Sequence, residues 1–277
     1  LPELYDEQLP AEGNLEYADS PVAAVLCAEW IQESVPENLA VKHDLYSTIA
    51  DKLKDTALLA SSTSGFKPTD LAQSLRCADR MMVCHPFNPV YLLPAVEVVA
   101  GEHTDPQAIS RAEEILISIG MKPILVRQEI DAHIADRLLE ALWREALWLV
   151  AEDVATTAEI DEVMRQGFGL RWAQMGLFET YRIAGGDAGM QHFLAQFGPA
   201  LQWPWSRLTD VPELTAELIA KIAAQSDAQS GAMSIAELEA LRDRNLVALI
   251  RALRSTNSGA GAHINAMDRN LRRPAPR

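Results

Sequence analysis

The sequence lacks any long apolar run. No stretch is long enough to cross the roughly 30 Å hydrocarbon core of a bilayer, and no charged-then-apolar signal segment opens the chain. Cysteine is also scarce, because the three cysteines form no CxxC pair and their odd number argues against a disulfide framework. These absences predict a protein of the reducing cytoplasm.

Positive charge is in the minority. Lys and Arg number 24 against 39 Asp and Glu, so the formal net charge is -15. Nucleic acids and anionic membranes are bound by basic surfaces, and we therefore expect neither as a partner. The six histidines are scattered, with no HExxH and no Cys/His cluster, so we expect no metal site.

Alternating short apolar runs and helical patterns fill residues 14–127. Alternation of this kind predicts βαβ units and a mainly parallel sheet. The predicted strands are 15–17, 29–32, 57–60, 81–84, 95–99 and 123–126, with helices near 21–26, 38–53, 69–75 and 105–119. In the helix at 38–53, Val41, Leu45, Ile49 and Leu53 form one apolar stripe.

Strand patterns stop after about residue 130. Helical patterns follow near 132–152, 158–166, 175–184, 187–197, 212–228 and 234–254, which predicts a separate helical domain. The last residues, 256–277, are small, polar and basic, and we expect them to be a disordered tail. The fold class is thus α/β plus all-α, divided as 1–128, 129–255 and 256–277.

Polar residues follow two of the predicted strands, where ligands of parallel sheets bind. The run SSTSG at 61–65 follows one strand, and His85 follows another. Glu97 lies inside an apolar strand, and because an unpaired buried charge is expensive, we expect it to pair with His85. His85 would then exchange a proton with a substrate whose oxygen Ser64 holds, as in reversible alcohol oxidation. The alternatives are a structural histidine and a serine run that is only a loop or helix cap.

Four stretches resemble the L-3-hydroxyacyl-CoA dehydrogenase superfamily. They are ASSTSGFKPTDLA, HPFNPVYLLPAVEVV, IADRLLEALWREAL and GFGLRWAQMGLFETY. The resemblance implies a partial Rossmann-like domain over 1–128 that binds NAD, and a helical substrate and dimerisation domain over 129–255 that makes the protein a homodimer. It also implies roles for individual residues: His85 as general acid/base, Glu97 as its orienting carboxylate, Ser64 as the hydroxyl on the substrate oxygen, and Glu37 and Lys42 as cofactor contacts.

One departure from the family bears on the substrate. Asp136 stands where many members have Asn, and an anionic side chain suits a cationic substrate such as L-carnitine better than an acyl-CoA thioester. Within the superfamily the resemblance is greatest to enzymes that oxidise the 3-hydroxyl of L-carnitine. Arg137 is a candidate for the substrate carboxylate, and Trp172 and Phe178 are candidates for the cation. Further candidates are Trp143, Trp148, Tyr181, Trp203, Trp205, Arg144 and Arg171, although aromatic residues at helical spacing are commonly core and Arg144 could simply pair with Glu140.

A second departure is the missing G-x-G-x-x-G turn that holds a cofactor pyrophosphate. Judged from the family layout, the first two βα units, about 40–60 residues, are absent, and the strand near Trp30 becomes an exposed edge. Two alternatives to carnitine oxidation stay open: a dehydrogenase of 3-hydroxyacyl-CoA or another 3-hydroxy acid, and a catalytically silent fragment that acts as a dimerisation module.

Overall fold

A computed structural model describes residues 4–5, 8–185, 189–199, 203–207, 213, 215–230, 232 and 234–271. The chain divides into two compact units, one of Leu1–Arg137 with Ala266–Arg277 and one of Leu138–Asn265. Parts of the helices predicted at 187–197 and 212–228, and residues 272–277 of the predicted tail, lie outside the described residues.

A five-stranded sheet forms the centre of the first unit. Its strands are β1 (Trp30–Glu33), β2 (Leu58–Ser61), β3 (Met81–Pro86), β4 (Ala95–Ala100) and β5 (Lys122–Val126), and they lie side by side in chain order. Every neighbouring pair is parallel except β3 and β4, which are antiparallel. The predicted mainly parallel sheet is therefore confirmed, and β1 is an edge strand, as expected for the strand near Trp30.

Apolar side chains cover both faces of this sheet. In β2, Leu59 packs into a cluster with Ile49 and Val83, while Leu58 and Ala60 pack into a second cluster on the opposite face. Successive residues of a strand point to opposite faces, so a continuous apolar run is what a sheet buried on both sides requires. The helices that supply the cover are α1 (Pro21–Val25), α2 (Leu39–Ile49), α3 (Pro68–Leu71) and α4 (Pro106–Ser118).

One prediction for this unit is wrong, and a second is wrong at one residue. Residues 15–17 form no strand; Leu15 and Tyr17 are 79% and 90% exposed, and no described strand pairs with them. The apolar stripe predicted for this helix is confirmed at Leu45, Ile49 and Leu53, which pack into the core, and is wrong only at Val41, which is 41% exposed. Lys42 and Tyr46 are buried instead of Val41. Both side chains turn inward to reach a buried carboxylate, which hydrophobic periodicity does not report.

The predicted helical part is confirmed. Its helices are α5 (Ala135–Ala151), α6 (Thr157–Val163), α7 (Gly169–Ala184), α8 (Gly189–Phe197), α9 (Ala216–Ser230) and α10 (Ile235–Ser255), and a π-helical turn at Met164–Phe168 lies between α6 and α7. Thr156 and Ser234 are the N-cap residues of α6 and α10, and each forms a reciprocal capping box, with Glu159 and Glu237 respectively.

No helix in the described part of the chain has both the length and the apolar composition that crossing a bilayer requires.

The prediction of a disordered tail from residue 256 is wrong over α11 (Gly259–Leu271). Ile264 is only 2% exposed, and Gly261 is buried too. A β-carbon at Gly261 would overlap the backbone of Leu253, so glycine permits the close approach of α11 to α10. The composition of this segment is small and polar, but its few apolar residues are spaced to bury one helical face.

Candidate active site

The antiparallel pairing of β3 with β4 places His85 directly opposite Glu97. Nδ1 of His85 donates a hydrogen bond to Oε2 of Glu97 over 3.0 Å, since a carboxylate oxygen can only accept. Glu97 is 2% exposed, whereas the His85 side chain retains 12% exposure. The proton on Nδ1 leaves Nε2 of the neutral ring as an acceptor, which is the form that a general base needs.

The second oxygen of Glu97 is also fully engaged. Oε1 accepts the backbone N–H groups of Ile134 and Ala135 at 2.9 and 3.0 Å. Burial raises the pKa of Glu97, but the hydrogen bonds from His85, Ala135 and Ile134 outweigh it and leave the pKa below its ordinary value. Glu97 is therefore a fixed anion that orients His85. Sequence reasoning found the partner His85 and missed both amides.

These amides belong to a turn at residues 132–135, here called the amide turn. Its backbone takes the left-handed conformation at Ala132 (φ 62°) and His133 (φ 48°), which L residues rarely adopt. The amide turn also donates the N–H of Ala132 to the carbonyl of Gly65 over 3.0 Å. It thus connects Glu97 with the segment that follows β2.

That segment, residues 62–65, is here called the serine loop, and it carries Ser64 at the carboxyl end of β2. Ser64 is half-buried, while Thr63 beside it is 1% exposed. The carboxylate of Glu37 accepts hydrogen bonds from the Thr63 hydroxyl and from the N–H of Gly65, the latter at 3.2 Å. Glu37 holds the loop from one side and the amide turn holds it from the other.

A buried polar network underlies Glu37 and the serine loop. The ammonium of Lys42, 1% exposed, lies 3.0 Å from Oε1 of Glu33 and 3.4 Å from Oε2 of Glu37. The Glu33 carboxylate also accepts the hydroxyls of Tyr46 and Ser61 at 2.5 and 2.6 Å. Burial raises the pKa of Glu33, but the hydrogen bonds from Ser61, Tyr46 and Lys42 outweigh it and lower the pKa overall.

Sequence reasoning missed Glu33 and Tyr46. The signal that identified Glu97, a carboxylate inside an apolar run, is absent at Glu33, because the strand Trp30–Glu33 is short and has the polar Gln32 next to it. Lys42, predicted from the resemblance to contact the cofactor, is enclosed and reaches the rim of the sheet through Glu37, whose side chain is 44% exposed.

The remaining predicted residues lie in α5 and α7. Asp136 and Arg137 are in the first turn of α5, the former half-buried and the latter exposed. Trp172 and Phe178 are in α7, in the second compact unit; the Trp172 ring packs against Phe168 with centroids 4.5 Å apart, and Phe178 is 75% exposed.

Two of the further candidates already have partners. Arg144 forms an ion pair with Glu140 at 3.4 Å, the ordinary helical pair that was the alternative for it. The guanidinium of Arg207 lies 4.2 Å from the centre of the Trp148 ring and occupies one face of it.

Two family models match the chain. Residues 6–130 match the NAD binding domain of 3-hydroxyacyl-CoA dehydrogenase, and residues 133–218 match the C-terminal domain of the same family. The predicted cofactor, NAD, is confirmed by the first of these matches.

Similar proteins include an L-carnitine dehydrogenase/betainyl-CoA thioesterase of Agrobacterium fabrum. It is 59% identical over 96% of this chain and 54% of its own length. An L-carnitine dehydrogenase of Mesorhizobium japonicum is 54% identical over 95% of this chain and 72% of its own length. The chain thus spans about half the length of the first, bifunctional relative.

A solved structure, that of the NAD+-dependent dismutase 5-formyl-3-hydroxy-2-methylpyridine 4-carboxylic acid 5-dehydrogenase, is similar in fold. It superimposes with a TM-score of 0.71 at 29% identity, over 88% of this chain and 80% of that one. The domain matches and the relatives lead to one conclusion: the chain belongs to the 3-hydroxyacyl-CoA dehydrogenase family.

Proposed function

We propose that this protein oxidises the 3-hydroxyl of L-carnitine to 3-dehydrocarnitine with NAD. The single observation that carries the proposal is the His85–Glu97 pair, in which a buried anion holds the proton on Nδ1. His85 takes the substrate hydroxyl proton at Nε2, and Glu97 stabilises the imidazolium that results. Ser64 donates a hydrogen bond to the same substrate oxygen. NAD, when bound, supplies the hydride acceptor.

The rim of the sheet offers groups suited to the nicotinamide end of NAD. Glu37 is half-exposed there, and Lys42 together with the serine loop fixes its carboxylate. The sequence contains no G-x-G-x-x-G motif, and none of the described strands is followed by a glycine-rich turn that could hold a pyrophosphate. Glu37, with Lys42 behind it, and the serine loop are the residues proposed to hold the cofactor.

The substrate assignment rests on charge. Asp136 follows the amide turn directly and lies close enough to His133 to act on it electrostatically. A carboxylate at this place suits the trimethylammonium of carnitine, and Arg137 beside it suits the carboxylate. Trp172 and Phe178 are proposed to contact the cation. The names of the Agrobacterium and Mesorhizobium relatives support the same substrate.

Steady-state NADH formation tests the proposal. L-carnitine is compared with (S)-3-hydroxybutyryl-CoA at matched concentrations, with His85→Gln as the inactive control. Turnover of carnitine that His85→Gln abolishes supports the proposal, and preference for the thioester contradicts it. No turnover of either substrate, together with no change in fluorescence on titration with NADH, would identify a catalytically silent chain.

We propose further that the chain forms a homodimer of the cytoplasm through its helical part. The first half of α5 exposes four large apolar side chains: Leu138, Leu139, Leu142 and Trp143. Trp143 and Leu142 also line an apolar cavity of about 340 Å³ between α5 and α6. A second copy covers such a face most simply, because closed homodimers are the commonest assembly. The three free cysteines agree with a reducing compartment.

Light scattering tests the assembly. The parent chain is expected to have twice the monomer mass at micromolar concentration, and Leu142→Glu is expected to be monomeric. The matched control is Leu241→Glu, at another partly exposed leucine, on α10. A monomeric parent contradicts the proposal.

A further inference from the structure

His133 is a fully buried histidine that lies beside the proposed base. Its side chain has 0% exposure, and its ring centroid is 6.0 Å from that of His85, with the two planes inclined by 49°. Neither the sequence motifs nor the proposed mechanism uses this residue. If this buried imidazole became protonated, its positive charge would disfavour protonation of His85, so its protonation state matters for the proposed base.

The hydrogen bonds of His133 define its protonation. Nε2 lies 3.4 Å from the carbonyl oxygen of Thr63, and because a carbonyl only accepts, Nε2 carries a proton. Nδ1 is buried and has no hydrogen-bond partner among the described residues. A second proton, on Nδ1, would create a buried donor without an acceptor, which is strongly unfavourable.

Charged and titratable groups face His133 from three elements. They are His85 on β3, Glu97 on β4 and Asp136 on α5. Burial lowers the pKa of His133, and the nearby His85 lowers it further. The charge of Glu97, the hydrogen bond to Thr63 and the charge of Asp136 raise it, but they do not outweigh burial, so the pKa stays below its ordinary value. The environment therefore favours the neutral ring.

His133 belongs to the amide turn, which is hydrogen-bonded both to Glu97 and to the serine loop. The amide turn reaches Glu97 through Ile134 and Ala135, and it reaches Gly65 through Ala132. The bond from His133 to Thr63 adds a side-chain link to the serine loop, one residue before Ser64. Two independent links thus join the loop of Ser64 to the turn that fixes Glu97.

We propose that His133 is a positioning residue, a permanently neutral imidazole that ties the serine loop to the His85–Glu97 pair and leaves His85 as the single proton acceptor of the site. This inference rests on the proposed function, because it concerns the same site. It adds a division of roles between two neighbouring histidines: His85 takes up the proton, and His133 holds the serine loop that aligns the substrate.

Imidazole ¹⁵N NMR of the full chain labelled at histidine tests the protonation states directly, between pH 5.5 and 8. His133 is expected to remain neutral with its proton on Nε2 throughout, and neutral His85 to carry its proton on Nδ1. His133→Gln and His85→Gln assign the two signals, and the exposed His103 is the internal reference. Titration of His133 at or above the pH at which His103 titrates, or a proton on its Nδ1, overturns the proposal.

Kinetics of two variants test the positioning role. His133→Gln keeps an Nε2 donor for Thr63 without a titratable group, and we expect its kcat to stay within about 3-fold of the parent. His133→Phe keeps an aromatic ring but loses the donor; we expect kcat to fall about 10- to 100-fold, as misalignment by a fraction of an ångström produces. The KM for NAD is expected to change little, and kcat is compared well below the melting temperature of each variant, so that a loss of folded protein does not enter the comparison.

Equal kcat values for His133→Phe and the parent would contradict the positioning role, as would a loss of kcat that only follows a loss of folded protein. The two proposals fail in different ways. If the parent turns over no substrate, the proposed function fails, whereas the NMR titration still decides the state of His133.

Discussion

His85 and Glu97 face each other across the antiparallel pair β3–β4, and strand register alone brings Nδ1 within 3.0 Å of Oε2. The pair is 12 residues apart in sequence, so a short connection joins the base to its orienting carboxylate. Because the amide turn holds the other oxygen of Glu97, the carboxylate cannot rotate without breaking three hydrogen bonds.

Glu97→Gln is expected to lower kcat by about 10²- to 10⁴-fold, the range that general acid–base catalysis contributes. The amide cannot stabilise the imidazolium, and its NH₂ group meets donors at this place. NADH formation from L-carnitine is the measurement, with the exposed Glu102→Gln as control. A reduction below about 3-fold for Glu97→Gln would exclude the orienting role.

Lys42→Met is expected to destabilise the fold by about 3–5 kcal/mol, because it leaves the buried Glu33 carboxylate without its cation. Urea unfolding followed by circular dichroism measures the free energy of unfolding, and the exposed Lys52→Met is the matched control. Adding Glu33→Gln should recover part of the loss, since it removes the uncompensated charge. If the single and control variants are equally stable, the buried pair does not stabilise this edge of the sheet.

Gly261→Ala is expected to destabilise the fold by about 1–3 kcal/mol, the usual effect of overpacking. The new methyl group would overlap the backbone of Leu253, which cannot move aside as a flexible side chain could. This effect opposes the gain of about 1 kcal/mol that alanine normally brings to a helix. Gly198→Ala, where a β-carbon meets open space, is the control for thermal unfolding. A more stable Gly261→Ala would show that α11 does not pack closely on α10.

Stability is expected to fall with decreasing pH in two steps. His133 has a folded pKa below the unfolded value of 6.5, so the unfolded chain takes up its proton first and stability is lost as pH falls below 6.5. Glu33 and Glu97 have folded pKa values below 4.5, so their contribution is present above pH 4.5 and is lost as pH falls through the lowered values.

Melting temperatures between pH 3.5 and 7.5 measure both steps. His133→Gln should abolish the step below pH 6.5 and retain the one below pH 4.5. An unchanged first step in this variant would assign it to another histidine.

The sequence by itself determined the five strands of the sheet, the family and the proposed base, although it also predicted a strand at 15–17 that does not form. Continuous apolar runs report strands buried on two faces, and a lone carboxylate in such a run requires a partner, so Glu97 and His85 could be paired without coordinates. The two residues are only 12 positions apart in one short motif, so the sequence itself contains the information needed to pair them.

Only the tertiary structure decided how the site is supported. The amides of residues 134 and 135 reach Glu97 across 37 and 38 positions of sequence, and Ser61 reaches Glu33 across 28. Hydrogen bonds of this kind depend on which strands become neighbours and on a left-handed turn at Ala132 and His133. Hydrophobic periodicity contains neither, which is why Lys42 and Tyr46 face inward where the pattern predicted Val41, and why a small, polar segment became α11.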